Sequence, residues 1–471
     1  MADTNFTHGA CRTDKTKKPE TKKIRATLFF DGTLNNKRNT EIGMARVADV
    51  FQHAKDMGTS YGNYYTNVAL LFNNLNVDEL GGYHKYIPIY IEGIGTENER
   101  SDSKMGAAFG AASTGIRAKV ANGRRDLVNR IGDFIKKKEV EIEEIRIDVY
   151  GFSRGAAAAR HFVNVALNTT NIIIGENTIT VDSLKVQLQK AGFKVGTVKV
   201  YFVGLFDTVS SEGFSGTVMG MSDVVALGLD AIKDAVSVYH LAALDEHRDN
   251  FALTNIKSAG GKGREIFLPG VHSDIGGSYN TRERENIQIY DTDVPYITES
   301  KYQSIKAELD GLIKGGWFRW TDIQNVKEGR GMKVTESIDD AVNWHGEVYV
   351  KRMGLDGLGI KNMYARIPLH MMKDASKGIA FNPKMDTAFA TSIHPGMVDD
   401  IVLRAYSALK GGSVPASWSQ SKDNATASES IKTLRYSHLH FSANYEESAK
   451  VFAPNAPRYF KGQRTRKIHD G

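Results

Sequence analysis

A serine in the segment Gly151-Phe-Ser153-Arg-Gly155 has the setting of an enzyme nucleophile. The apolar residues 144–150 before it predict a buried strand, and residues 156–167 after it begin with four alanines and predict a helix. A sharp turn between a strand and a helix lifts a serine hydroxyl above the sheet, and flanking glycines let the two elements pass closely. The sequence therefore predicts Ser153 as a nucleophile, with Gly151 and Gly155 shaping its turn.

Two further residues could activate this hydroxyl. A serine is a poor nucleophile at neutral pH unless a histidine removes its proton and a carboxylate orients that histidine. Asp207 directly follows an apolar strand predicted at 197–206, and His272 follows a shorter strand at 265–268, in a turn bounded by glycines. In proteins with such a nucleophile turn the acid and then the histidine follow the serine along the chain. We therefore predict Ser153, Asp207 and His272 as a catalytic triad.

Other assignments of the acid and the base stay open at this point. Asp245 and Asp274 are alternative acids, although Asp274 is only two residues from His272. His394 is the alternative base, but no comparable strand leads into it. Five other histidines are assigned structural positions: His161 on the helix after the serine, His240 and His247 in a predicted helical stretch, and His438 and His440 on a predicted strand.

Backbone donors for a developing oxyanion are predicted from two segments. The N–H of Arg154 would lie at the start of the helix that follows the serine, where it can donate to an anion. The second donor usually comes from a loop after an early strand. Residues 24–30 predict that strand, so Gly32 or Thr33 is the expected second donor.

The same loop suggests a second class of enzyme. Asp31-Gly-Thr33 after an apolar strand is also typical of haloacid-dehalogenase phosphatases, whose nucleophile is an aspartate two residues earlier. Phe29 stands at that position and cannot attack phosphorus, so this class is disfavoured. The sequence has no His-Glu-x-x-His motif, no paired cysteines and no Walker A loop, and we predict neither a metal nor a cofactor.

Strands and helices alternate along the part of the chain that contains these residues. Strands are predicted at 24–30, 86–91, 144–150, 197–206 and 265–268, and helices at 104–138 and 156–167. This order predicts an α/β fold of the α/β-hydrolase type, with a mostly parallel sheet and helices on both faces. The predicted regions are a disordered basic tail at 1–23, a catalytic core at 24–280, an insertion or cap at 281–380, and a C-terminal region at 381–471 that packs back on the core.

Composition and charge narrow the setting of the protein. Hydrophobic residues make up 41% and charged residues 25% of the 471 residues, as in ordinary globular proteins. The net charge of +6 is concentrated near the two ends, which we interpret as solvated tails: Lys15, Lys17, Lys18, Lys22 and Lys23, and Arg458, Lys461, Arg464, Arg466 and Lys467. No nucleic-acid-binding motif accompanies this charge, so we predict no nucleic-acid partner. Neither a signal peptide nor an apolar run of about 18 residues is present, and synthesis in the cytoplasm is expected.

Four segments in this order carry a resemblance to a known family: Phe30-Asp-Gly-Thr-Leu-Asn35, Gly151-Phe-Ser-Arg-Gly-Ala-Ala-Ala158, Gly204-Leu-Phe-Asp-Thr-Val209 and Leu268-Pro-Gly-Val-His-Ser-Asp-Ile-Gly-Gly277. Together they resemble the type VI secretion lipase effectors that carry a Gly-x-Ser-x-Gly motif on an α/β-hydrolase domain. The resemblance spans residues 24–280 and places the family's triad on Ser153, Asp207 and His272.

The resemblance implies an activity and a route. It implies phospholipase A hydrolysis of bacterial glycerophospholipids, at the sn-1 or sn-2 ester, without a cofactor. It also implies delivery into the periplasm of a rival cell on a spike or tube protein, with a cognate immunity protein in the producer. Two other functions stay open, namely a soluble carboxylesterase without a membrane role and a catalytically silent interaction scaffold.

Two segments could connect this chemistry to a membrane. Trp317-Phe-Arg-Trp320 combines aromatic and basic residues as at a membrane interface, although packing in a core explains it nearly as well. Apolar residues within 213–244 predict a helix that, together with the insertion, covers the active site as a lid. The alternative is that this helix packs on the sheet.

Overall fold

The computed structural model describes residues 20–45, 58–103, 115–136, 140–174, 177–210, 221–290, 298–326, 332–334, 347–385, 400–418, 427–445 and 455–471. Its strands are β1 Thr21–Phe30, β2 Lys85–Ile91, β3 Glu141–Phe152, β4 Thr170–Ile174, β5 Asn177–Val181, β6 Lys194–Phe206, β7 Ser237–Ala243, β8 Leu253–Thr254, β9 Gly263–Leu268, β10 Arg282–Glu283, β11 Glu285–Tyr290, β12 Ile323–Val326, β13 Met332–Val334, β14 Val348–Arg352, β15 Ile360–Lys361, β16 Tyr459–Phe460, β17 Gln463–Arg464 and β18 Ile468–His469. Its α-helices are α1 Lys37–Met44, α2 Thr59–Gly62, α3 Asn67–Asn73, α4 Ile116–Phe134, α5 Arg154–Leu167, α6 Leu184–Lys190, α7 Met221–Leu227, α8 His272–Gly276, α9 Glu299–Lys314, α10 Arg366–Ala375, α11 Asp400–Leu409 and α12 Glu429–His438.

Six strands form a parallel central sheet in the order β2-β1-β3-β6-β7-β9. The predicted α/β-hydrolase-like, mostly parallel architecture is confirmed. The register places Gly151 of β3 opposite Leu205 of β6, and Leu268 of β9 opposite Ala243 of β7. Because all six strands run in the same direction, the residues that follow β3, β6 and β9 emerge at one edge of the sheet, where ligands of such folds bind.

Each face of the sheet is covered, as the near-continuous apolar strands require. Leu28 and Phe30 of β1 pack in one apolar cluster with α4 and α5, while Phe29 between them packs in a second cluster with Tyr150. The four alanines at 156–159 are completely buried, and their small side chains let α5 lie close against the strands. The position of α5 matters for function because it begins directly after Ser153.

The predicted insertion at 281–380 shares an apolar core with the central sheet. Strands β11, β14, β12 and β13 form a small antiparallel sheet in that order, beside α9. Trp317 and Phe318 are only 3% and 1% exposed, and both rings pack against Phe441. They belong to the same cluster as Phe29. A membrane-facing role for these two aromatic side chains is therefore wrong, because they are inside the core.

Several local predictions differ from the structure. β1 begins at Thr21, inside the predicted tail, and residues 1–19 lie outside the described residues. His240 lies on the central strand β7 and not in a helix. The predicted helix at 104–138 is described only as α4, since residues 104–114 fall outside the described part.

Part of the segment proposed as a lid packs on the core, although Val225 is 77% exposed. Residues 211–220 lie outside the described residues, and β7 occupies the end of the segment as a central strand. Between them, Leu227 is completely buried, and its carbonyl oxygen lies 2.7 Å from the imidazole Nδ1 of His161 on α5. The lid prediction is therefore wrong for residues 227–244. Within the described residues, no helix has both the length and the apolar surface needed to cross a bilayer.

Candidate active site

Ser153 occupies a strained turn between β3 and α5. Its φ of 59° and ψ of −130° lie in a region that residues other than glycine rarely adopt. A Cβ at Gly151 would come within 2.4 Å of the Gly155 carbonyl oxygen, and a Cβ at Gly155 would come within 2.2 Å of the Asp31 carbonyl oxygen. Both glycines are thus needed for β3, α5 and the loop after β1 to approach one another this closely. The N–H of Ser153 donates to the Phe206 carbonyl oxygen over 3.0 Å, which ties the turn to the end of β6.

Asp207 and His272 meet at the edge of the sheet beside this turn. Asp207 follows β6 directly, and His272 is the first residue of α8 rather than part of a loop. The imidazole Nδ1 of His272 lies 2.5 Å from Asp207 Oδ2, although 65 residues separate them in the chain. The rings of Phe152 and Phe251 pack against the imidazole at centroid distances of 4.6 and 4.9 Å. The histidine is therefore held in one orientation by a carboxylate and two aromatic rings.

The surroundings give this pair the protonation states that a general base requires. Burial alone would raise the pKa of Asp207, but Arg466 and His272 outweigh it and hold that pKa well below its usual range. Burial lowers the pKa of His272 below its ordinary value of 6.5, and the hydrogen bond to Asp207 only partly opposes this. At neutral pH the pair consequently stands as a carboxylate and a neutral imidazole, whose Nε2 can accept a proton.

Arg466, which the sequence analysis placed in a solvated tail, contacts the acid directly. Its Nη1 donates to Asp207 Oδ1 over 2.6 Å and its Nη2 donates to Oδ2 over 2.8 Å. The backbone N–H of Ala243 donates to Oδ1 as well, over 2.8 Å. The tail interpretation is wrong for Arg466 and for Arg464, whose side chains are only 6% and 5% exposed. The one sequence signal was their spacing of two residues, which is typical of an extended segment facing one side.

Of the three candidate oxyanion donors, Gly32 has an N–H that is already bonded, and Thr33 and Arg154 are residues that line the site. The N–H of Gly32 donates to Asp31 Oδ1 over 2.7 Å, so the prediction of Gly32 as a donor is not supported. Thr33 and Arg154 line a common cavity with Ser153, and Arg154 Nε donates to Thr33 Oγ1 over 2.7 Å. Arg154 is also the first residue of α5, where backbone N–H groups have no acceptor within the helix. The backbone N–H groups of Arg154 and Thr33 remain the predicted donors.

The alternative acids are engaged elsewhere. Asp274 accepts from the N–H of Val271 over 3.0 Å and lies 2.8 Å from the Nδ1 of His440. Asp245 accepts from the N–H of Gly270 over 2.7 Å. His394, the alternative base, lies outside the described residues. Of the three candidate acids, Asp207 is the one within hydrogen-bonding distance of His272.

Asp207→Asn is expected to lower kcat/KM for a soluble ester about 10³- to 10⁴-fold, because the amide cannot hold the imidazole in the tautomer that a general base needs. Asp274→Asn and Asp245→Asn are expected to affect stability more than turnover, since Asp274 binds Val271 and His440 and Asp245 binds Gly270. Initial rates and thermal unfolding of the three purified variants provide the comparison. A larger loss of turnover in a folded Asp274→Asn or Asp245→Asn variant than in Asp207→Asn would show that the acid is misassigned.

A cavity of about 400 Å³ opens beside Ser153 and His272. Apolar side chains line part of its wall: Leu34, Phe152, Val209 and Phe251. Arg154 and Arg248 line it as well, but Arg248 stacks on Phe251 and forms a buried ion pair with Glu246, which compensates its charge. The site thus combines an apolar surface with the arginine that follows the candidate nucleophile.

Comparison with known proteins gives one family match and one similar fold. Residues 175–297, which include Asp207 and His272, match the family model of the type VI secretion phospholipase effector Tle1-like catalytic domain. The family resemblance inferred from the motifs is thereby confirmed for that stretch. The fold is similar to a solved structure of the Tle1 effector bound to the VgrG spike of the type VI secretion system, with a TM-score of 0.57, 22% identity, and 99% of this chain and 98% of that chain covered.

Other comparisons add little. An uncharacterized protein from Pseudomonas aeruginosa aligns over 55% of this chain and 42% of that chain at 20% identity, but its TM-score of 0.32 is too low to support an inference. No curated protein sequence matches the chain.

Proposed function

We propose that this protein is a serine-dependent phospholipase A that acts as an antibacterial effector of a type VI secretion system. The observation that carries the proposal is the geometry of one cavity. Ser153 at a strained turn and His272, paired with Asp207 over 2.5 Å, line that cavity together. The match of residues 175–297 to a phospholipase effector domain supports the same chemistry.

In the proposed reaction, Ser153 Oγ attacks the carbonyl carbon of an acyl ester while His272 Nε2 takes the hydroxyl proton. The N–H groups of Arg154 and Thr33 hold the negative charge that develops on the carbonyl oxygen. His272 then gives its proton to the departing glycerol oxygen, and the acyl group stays on Ser153. A water molecule, deprotonated by the same imidazole, attacks the acyl-serine carbonyl, the bond to Ser153 Oγ breaks, and the imidazole returns its proton to that oxygen as the fatty acid leaves.

The cavity suits an ester that carries both an acyl chain and a phosphate. Leu34, Val209 and Phe251 offer apolar contact beside the nucleophile. Arg154 offers a planar guanidinium group, which matches the geometry of phosphate oxygens, whereas the guanidinium of Arg248 is bound by Glu246. Burial lowers the pKa of Arg154 to about 10, so its guanidinium stays charged at neutral pH.

The proposed partners follow from the same assignment. The similar effector structure holds its protein on a VgrG spike, and we extend a spike or tube carrier to this chain. Delivery would place the enzyme in the periplasm of a target cell, beside the glycerophospholipids of its membranes. A producer cell would need an immunity protein that blocks the cavity or its access.

The purified protein is expected to release free fatty acid and lysophospholipid from vesicles of phosphatidylethanolamine and phosphatidylglycerol. Vesicles whose sn-1 and sn-2 chains differ in mass let mass spectrometry identify the ester that is cleaved. The Ser153→Ala protein serves as the control for contaminating lipase. Cleavage of a soluble short-chain ester without any release from vesicles would favour the soluble carboxylesterase, and no cleavage of either substrate would favour the silent scaffold.

A further inference from the structure

The last described residues of the chain, 463–471, run along the core as a strap beside the active site. Strand β18 within this strap pairs in parallel with β8. The N–H of Leu253 donates to the Lys467 carbonyl oxygen and the N–H of Asn255 donates to the His469 carbonyl oxygen, both over 2.9 Å. β8 is itself joined to the loop after the acid, because the N–H of Thr254 donates to the Thr208 carbonyl oxygen over 2.9 Å. Backbone pairing therefore connects the strap to the loop that follows Asp207.

The side chain of Arg466 extends from this strap to the acid. Both carboxylate oxygens of Asp207 accept from its two terminal nitrogens, and its Nε donates to the Phe251 carbonyl oxygen over 2.7 Å. Asp207 is completely buried, and the Arg466 side chain is 6% exposed. A two-point contact fixes the plane of the carboxylate, and with it the direction in which Oδ2 faces the imidazole.

We infer that Arg466 is the positioning residue of the acid, and that the strap is a working part of the active site. The inference rests on the proposed function, since it concerns the orientation and charge of Asp207 during catalysis. Arg466 acts through Asp207 and is not assigned any contact with substrate. Burying an unpaired carboxylate costs folding free energy. The Arg466 guanidinium therefore keeps Asp207 ionised, and it also weakens the attraction of the Asp207 charge for the proton of the imidazole.

This role has a consequence that a merely structural contact would lack. In the wild-type protein burial lowers the pKa of His272, so the acid limb of the kcat/KM profile is expected below pH 6.5. Arg248 and Glu246 also act on His272, with opposite effects on its pKa, and both remain in the variant. Removing the Arg466 charge leaves the negative charge of Asp207 less compensated, which raises the pKa of His272. A larger share of the imidazole is then protonated at pH 6 to 7 and cannot act as a base. If Asp207 became protonated instead, the imidazole would lose its acceptor over the same range, and the limb would move in the same direction.

The test is the pH profile of kcat/KM on a soluble short-chain ester between pH 5 and 9. Arg466→Gln is expected to lose about 10²-fold or more at pH 7 and to move the acid limb up by about one pH unit. Arg466→Lys keeps a positive charge and is expected to recover most of the rate. Arg464→Gln is the matched control, because Arg464 lies on the same strap but donates to Glu308 over 2.7 Å and not to Asp207. It is expected to lose stability without moving the limb.

Three results would overturn the inference: an Arg466→Gln protein within twofold of wild type, an equal loss at every pH with an unmoved limb, or the same shift of the limb in Arg464→Gln. The double variant Asp207→Asn with Arg466→Gln covers the case in which Arg466→Gln alone does not fold. It leaves neither charge buried alone, so it is expected to fold, and where both single variants also fold it is expected to be more stable than the sum of the single losses predicts. A double variant as unfolded as Arg466→Gln, or additive losses in thermal unfolding, would contradict the coupling. Because this comparison needs no substrate, it still tests the contact between Arg466 and Asp207 if the wild-type protein cleaves no ester and the proposed function fails.

Discussion

Ser153→Ala is expected to lower kcat for ester hydrolysis by about 10⁴- to 10⁶-fold while the protein stays folded. The reason is that alanine has no hydroxyl to form the acyl ester, and what remains is the small acceleration from binding and from the oxyanion donors. The cost to the fold should be slight, because removing one hydroxyl creates no clash in the turn. Initial rates on a soluble ester, with circular dichroism of both proteins, give the comparison.

Ser273→Ala is the matched control for this experiment. Ser273 lines the same cavity but lies in the regular helix α8, whereas Ser153 occupies a turn with a positive φ. It is expected to keep its rate within a few-fold of wild type. A fluorophosphonate should add to the wild-type protein on the peptide that contains Ser153, and should not add to Ser153→Ala. A folded Ser153→Ala protein with undiminished activity would end the serine-hydrolase assignment.

The turn at Ser153 and the candidate acid and base could be proposed from the sequence because each depends on local signals. The apolar run before Ser153 reads as a buried strand whichever neighbours it has, and Gly151 and Gly155 mark a tight turn by type alone. Asp207 and His272 could be added because each follows an apolar strand, and the ends of parallel strands meet at one edge. The architecture therefore brings together residues that the sequence separates.

Arg466 could not be predicted in this way, because its function depends on a partner 259 residues away. The strap contributes a strand of two residues, which is too short for a hydrophobic period to show. Basic residues near a chain end are usually solvated, and what makes Arg466 different is its contact with the buried Asp207. A buried carboxylate needs a cation or hydrogen-bond donors beside it, but the sequence does not show which residue supplies them.

The errors at Trp317 and His240 have a related cause. Trp and Phe beside Arg suit either a bilayer surface or a core, and the choice depends on what packs against them, here Phe441. His240 lies in a stretch rich in Ala and Leu, which favours helix locally, yet pairing with β6 and β9 makes it a strand. In both places the surrounding structure overrides the local preference.

His272→Ala is expected to be as damaging as Ser153→Ala, with a loss of about 10⁴- to 10⁶-fold in kcat, because a triad works as a unit. Without the imidazole no group in contact with Asp207 can take the hydroxyl proton, and the serine stays a poor nucleophile at neutral pH. The variant should also lose labelling by the fluorophosphonate, since that reaction needs the same deprotonated serine. Turnover and labelling together separate a loss of chemistry from a loss of lipid binding.

His440→Ala provides the matched control, because His440 is a second buried histidine paired with a carboxylate. Its Nδ1 lies 2.8 Å from Asp274, and its ring stacks on Tyr279 at 3.6 Å between centroids. Tyr279 lines the cavity, whereas His440 lies behind it and is not among the lining residues. His440→Ala is therefore expected to unfold at a lower temperature but to keep turnover and labelling when folded. If His440→Ala abolished labelling while His272→Ala retained it, the base would be His440 and the acid Asp274, and the triad assigned to His272 and Asp207 would be wrong.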